Sequence, residues 1–190
     1  MPTNRMVHLS AMVEEVKWVK PNSILDVGIG FGVMGTLFRA ATDVRKSEAS
    51  PAVYHNWTTQ IDGIEIFEWY RNPAWNMYTN VYIGSAIEVI DTLPKYDFIY
   101  CGDMIEHLTK DDGYKLIEKM LDHANCWVHI ATPSPAGNQK ESFGNIYETH
   151  LSDWKQQEFE DYAKEKGYTF ELIGNIYDFS GNMLCVRIKR

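Results

Sequence analysis

One stretch limits what this chain can fold into: Ser23-Ile24-Leu25-Asp26-Val27-Gly28-Ile29-Gly30-Phe31-Gly32-Val33-Met34-Gly35. Ile24, Leu25 and Val27 make a short apolar run suited to a strand buried in a parallel sheet. Three glycines follow in alternate positions, and Val33 to Phe38 reads as the start of a helix. Strand, glycine turn and helix open a doubly wound α/β domain, in which ligands sit at the carboxyl ends of the strands. A glycine there lets a ligand approach the backbone, and the helix start offers free N–H groups.

The spacing separates ligand classes. The dinucleotide fingerprint needs a third glycine three positions after the second. Val33 stands there, so the NAD form fails. Asp26-Val27-Gly28-Ile29-Gly30-Phe31-Gly32 instead resembles motif I of class I S-adenosylmethionine (SAM)-dependent methyltransferases.

The rest of the chain extends the pattern. Met6, Leu9, Val13, Val16 and Val19 mark an amphipathic helix within residues 1–20, ended by Pro21. In the resembled family this helix lies across the cofactor cleft. Thr42 to Gln60 is polar and without period, and reads as an inserted loop in which His55 and Trp57 could touch a substrate. Ile61 to Ile66 is the second strand and Val81 to Ile83 the third, with aromatic residues and Pro73 between them. Tyr96 to Cys101 is the fourth and Cys126 to Thr132 the fifth, joined by a helix over Thr109–Asn125. Ser152 reads as the N-cap of a helix over Asp153–Lys166 and Gly167 as its C-cap. Tyr168 to Ile173 and Asn182 to Ile188 are strands joined by a turn. The expected fold is therefore α/β. It is a Rossmann-like, doubly wound, mostly parallel seven-stranded sheet with a C-terminal antiparallel hairpin and helices on both faces. Residues 1–190 form a single domain on this reading.

Two further blocks support the resemblance. Cys101-Gly102-Asp103-Met104-Ile105-Glu106-His107-Leu108 resembles motif IV and its extension in small-molecule methyltransferases. Glu148-Thr149-His150-Leu151-Ser152-Asp153-Trp154 resembles a Glu-x-His-x-Ser-x-Trp block of small bacterial, archaeal and phage methyltransferases. The resemblance implies SAM as cofactor, with S-adenosylhomocysteine (SAH) as product. It assigns Asp26 to the cofactor's ammonium, and Gly28, Gly30 and Gly32 to its methionine part. Glu65, with Ile66 beside it, goes to the ribose. Ser85 and Ala86 flank the adenine, and Cys101 and Gly102 line the methionyl end. Asp103, His107 and His150 are the candidates for orienting or deprotonating the methyl acceptor. Glu65 lies further from the glycines than the usual ~20 residues, an excess the inserted loop explains. Glu106 and His107 are adjacent, so on a helix they would not face one way.

Composition narrows the partners. The formal net charge is −8, and no long basic run appears, which argues against a nucleic-acid acceptor. No apolar run approaches the ~18 residues of a membrane span, and the first residues lack a signal-peptide core. Cys101, Cys126 and Cys185 are scattered, so free thiols in a reducing, cytoplasmic compartment are expected. No His, Asp or Cys spacing calls for a metal. The expected activity is methyl transfer to an oxygen or nitrogen of a small-molecule acceptor, such as a sugar or secondary metabolite, by a monomer or homodimer. The competing readings are a SAM-binding protein without catalysis, a NAD(P)-linked oxidoreductase and a protein or RNA methyltransferase. The oxidoreductase lacks both its glycine spacing and a Tyr-x-x-x-Lys pair. The last lacks a basic groove and an Asn/Asp-Pro-Pro-Tyr motif.

Overall fold

The computed structural model describes residues 8–44, 56–178 and 181–190. Its elements in chain order are α1 (Leu9–Val19), β1 (Ser23–Val27), α2 (Val33–Arg39), β2 (Gln60–Glu65), β3 (Asn80–Ile83), α3 (Ala86–Val89), β4 (Tyr96–Gly102), α4 (Lys110–His123), β5 (Ala124–Pro133), α5 (Gln156–Lys166), β6 (Thr169–Asp178) and β7 (Gly181–Lys189). They build one seven-stranded sheet in the order β3-β2-β1-β4-β5-β7-β6. The pairings from β3 to β5 are parallel, and β7 runs antiparallel between β5 and β6. This is the expected sheet, hairpin included.

Side-chain alternation along the strands covers both faces. Leu25, Val27, Ile99, Cys101, Val128 and Ile130 pack with Leu116, Ile117 and Met120 of α4 and Phe159 of α5. Ile24, Ile61, Phe98 and Tyr100 pack with Met12 and Val16 of α1 and Met34 and Phe38 of α2. A parallel sheet buried on both sides needs such near-continuous apolar runs. The chain leaves β1 toward β2 on one side and β4 on the other, so a crevice opens over their carboxyl ends. Among the described residues no helix is long and apolar enough to cross a membrane, and all three cysteines are free.

Three local expectations change. The 42–60 stretch is not loop throughout: Ala40–Val44 carries α2 on as a wider helical turn. Buried Arg39 pairs with Asp43 at 2.6 Å and donates to the Thr59 carbonyl at 2.7 Å. Asp43 in turn accepts the N–H groups of Thr58 and Thr59 at 2.9 and 3.2 Å, so both ends of the excursion are clamped. Trp57 lies under the Arg39 guanidinium, 4.5 Å from ring centroid to carbon, which makes it part of this clamp rather than a substrate contact. His55 falls outside the described residues.

The second change is at α5. It starts at Gln156, not Asp153, and the Lys155 N–H donates to Glu158 at 2.8 Å. Ser152 is not its cap; its hydroxyl oxygen accepts from the Trp154 indole at 2.9 Å. The cause is Trp154, fully buried against Phe159 and over Gly113, where a Cβ would sit 2.4 Å from the indole. Burying that ring holds 152–155 extended. Gly167 does end the helix, with φ 73°. The third change is length: the hairpin strands run further toward the turn than their apolar runs suggested.

Candidate functional site

The glycine turn is held from below. Gly28 and Ile29 both donate to the Ile64 carbonyl, at 2.9 and 3.2 Å, which ties the turn to the end of β2. Gly28 has φ 81°, and a Cβ there would lie 2.5 Å from Met104 Cγ, so no other residue fits without movement. Glu65 closes β2. One carboxylate oxygen accepts the Gly30 N–H and the other the Phe67 N–H, each at 2.8 Å. Burial pushes this carboxyl up, opposed by the N–H groups of Phe67, Gly30 and Ile66. Each oxygen keeps a lone pair free for a further donor.

A cleft of about 860 Å³, open mouth included, runs over these groups. Gly28, Gly30, Glu65, Ile66, Ser85, Ala86, Gly102, Asp103 and His107 all line it. The carboxyl ends of β1, β2, β3 and β4 thus bring together most of the residues singled out from sequence.

Three expected cofactor residues lie elsewhere. Asp26 is buried under the turn, and its carboxylate accepts the Tyr78 hydroxyl at 2.6 Å. Burial raises its pKa to about 7 against the pull of that hydroxyl. Gly32 is the N-cap of α2 and faces Trp75 and Tyr78. Cys101 points into the core beside the Met104 sulfur at 3.8 Å, and burial drives its thiol well up. Strand alternation turns Asp26 and Cys101 into the packed layers, and Gly32 lies past the turn, at the start of α2.

At the far end of the cleft the fold makes a cluster that sequence spacing hid. Ile105–His107 is a single tight turn rather than part of a longer helix, so adjacent Glu106 and His107 converge. His150 arrives from the strap between β5 and α5. Ligand atoms of Glu106, His107 and His150 all lie within 4.8 Å of one another, a grouping able to hold a metal ion. The sequence called for no metal, because His150 is remote in the chain. The two rings meet edge to face at 4.9 Å. His107 Nδ1 lies 3.3 Å from the Thr149 carbonyl, and His150 Nδ1 lies 3.1 Å from the Gly137 carbonyl. A carbonyl can only accept, so each Nδ1 carries a proton, which leaves the lone pair of a neutral His107 on Nε2. Glu106 is buried and accepts the Thr132 hydroxyl at 2.9 Å. Burial, then the His150 charge, lowers the His107 pKa, which keeps that ring neutral. Asp103, also in the cleft wall, has φ 48°, a left-handed conformation costly for a residue with a side chain. His150 itself is not part of the cleft wall; it touches the cleft through His107.

Sequence reasoning missed the roof. Tyr70 donates to Glu148 and accepts from Asn145, both at 2.9 Å, and Asn145, Tyr147 and Glu148 line the cleft with it. The polar composition of 144–154 was a signal for this loop. The aromatic run after β2 gave no sign that Tyr70 would reach it.

No protein-family model matches this chain, and no curated protein does. Solved structures do. The methyltransferase domain of bacterial CtHen1-CN superposes with a TM-score of 0.65 at 18% identity, over 96% of this chain and 97% of that one. Magnesium protoporphyrin IX methyltransferase (ChlM) from Synechocystis PCC 6803, with bound SAH, gives 0.68 at 11%, over 96% and 81%. The N-terminal domain of EvdMO1, in the presence of SAH and D-fucose, gives 0.64 at 13%, over 99% and 84%.

Proposed function

We propose that this chain, which has the class I methyltransferase fold, is a SAM-dependent methyltransferase that acts on a hydroxyl of a small-molecule acceptor. One observation carries the reading. A glycine turn braced by Glu65 shares one cleft wall with His107, the member of the Glu106–His107–His150 cluster that reaches it.

Glu65 would accept from the ribose hydroxyls, with Ile66 beside it. Ser85 and Ala86 would flank the adenine. Gly28, Gly30 and Gly102 would let the methionine part lie against backbone. Asp26 would act from below, by holding the Tyr78 hydroxyl under the turn. Glu65, Asp103 and Glu148 put negative charge around the cleft, which suits a sulfonium cofactor.

At the acceptor end, Asp103 and His107 would orient the alcohol. Bound SAM would supply an activated methyl group to the alcohol oxygen and leave as SAH. His107 Nε2, with its lone pair free, takes the hydroxyl proton. Positioning supplies much of the rate, since the methyl group arrives activated. Glu106, His107 and His150 fit a first-row divalent cation: two imidazoles with Nδ1 already committed, and one buried carboxylate. Such a cation would acidify an acceptor hydroxyl, and His107 would then serve as ligand rather than base. This cluster favours oxygen over nitrogen acceptors.

The test is transfer of labelled methyl from SAM to a panel of polyol, sugar, phenol and RNA acceptors, with and without added Mn2+. Product on a small hydroxyl acceptor supports the reading. Product only on RNA would overturn the small-molecule part. SAM binding with no product on any acceptor would favour the non-catalytic alternative.

A further inference from the structure

The strap from Gly137 to Leu151 touches both ends of the cleft. At the cofactor end, Asn145 and Glu148 are buried and line the same cavity as Gly30, Glu65 and Ser85. Tyr70, from the loop that follows Glu65, donates to Glu148 and accepts from Asn145. Gln139 donates to the Glu148 carbonyl at 2.8 Å, which fixes the strap against itself. At the acceptor end, the Thr149 carbonyl faces His107, and His150 completes the cluster. Leu151 and Ser152 donate to the Glu106 carbonyl at 2.8 and 3.1 Å. Glu148 thus stands at the cofactor end and the next three positions, 149 to 151, at the acceptor end, with no residue between them.

Glu148 and Glu65 are both buried, and both line the same cleft. Two buried carboxylates that face one cavity suit a ligand bearing paired hydroxyl donors. We propose that Glu148 is the second ribose-binding carboxylate, so that cofactor bound between Glu65 and Glu148 fixes the strap and with it the position of His150. The inference rests on the SAM reading above. Cofactor binding and acceptor-site assembly then become one event, and the coupling is reciprocal.

The experiment compares SAH with methylthioadenosine, which keeps the ribose but lacks the amino-acid part. Calorimetry is run on the full chain and on Glu148→Gln and Tyr70→Phe. Glu148→Gln is expected to weaken both ligands by the same factor, about tenfold, the scale of a lost charge-assisted hydrogen bond. Tyr70→Phe, which leaves the carboxylate but frees the strap, is expected to weaken both to a smaller degree. Weakening of SAH alone, or of neither, overturns the proposal. Hydrogen exchange on the unaltered protein gives a second readout that needs no variant. Either ligand should slow exchange across 145–151 as well as at the glycine turn. Protection confined to 28–32 and 65–67 would overturn the coupling while leaving the SAM reading intact. Failure of the unaltered protein to bind SAH at all would remove both.

Discussion

The imidazoles of His107 and His150 meet at 4.9 Å, one from the turn after β4 and the other from the strap after β5. Each donates Nδ1–H to a backbone carbonyl of that same strap, Thr149 for His107 and Gly137 for His150. Two adjacent strands therefore deliver one paired site, with tautomers set by the backbone.

Replacing one ring should separate the two ends of the cleft. His150→Ala is expected to lower methyl transfer at least tenfold and to abolish Mn2+ binding, read by electron paramagnetic resonance. SAH affinity should stay within a few-fold, because the side chain is not part of the cleft wall. Complete loss of SAH binding would make His150 a structural residue instead.

Glu65→Ala should weaken SAM and SAH binding by about 1–3 kcal/mol, the usual worth of a lost charge-assisted hydrogen bond. Its carboxylate also accepts from Gly30 and Phe67, so melting temperature should fall as well. Glu65→Gln keeps the shape and separates the two effects. Unchanged affinity in both variants would take Glu65 out of the site.

Asp26 sets a pH dependence. Its folded pKa, about 7, lies above the model-peptide value of 3.8. The folded state therefore holds a proton that the unfolded state releases, and stability falls as pH rises from about 4 toward 7. Asp26→Asn keeps an acceptor for the Tyr78 hydroxyl and has no charge to bury. Thermal melts without cofactor should show the variant gaining on the unaltered protein across this window. Parallel curves would contradict the assignment.

Asp43→Ala would leave the Arg39 guanidinium buried without its carboxylate, and would free the backbone of Thr58 and Thr59. A cost of about 3–5 kcal/mol is expected in denaturant melts, typical of breaking a buried pair from one side. A loss under about 1 kcal/mol would show that the clamp is solvated in solution.

Much of the fold was legible because it rests on local signals. Ile24-Leu25-Asp26-Val27 and the glycines after it specify a strand and a turn without reference to anything distant, and the order of elements then fixes the sheet. Glu65, Ser85 and Gly102 followed from that order, since each ends or succeeds a strand on the same edge. What stayed hidden depends on contacts across the chain. The pairing of Tyr70 with Glu148 and the convergence of Glu106, His107 and His150 exist only once β4 and β5 lie side by side. Asp26 and Cys101 went the other way, with side chains buried under the turn and in the core, and Gly32 caps α2. Ser152 was misread as a cap because the cost of leaving Trp154 exposed outweighs the gain from starting α5 earlier.

Calorimetric titration with SAM, SAH and NADH tests the central claim most directly. The account requires micromolar binding of SAM and SAH and none of NADH. Binding of NADH alone, or of none of the three, would contradict it.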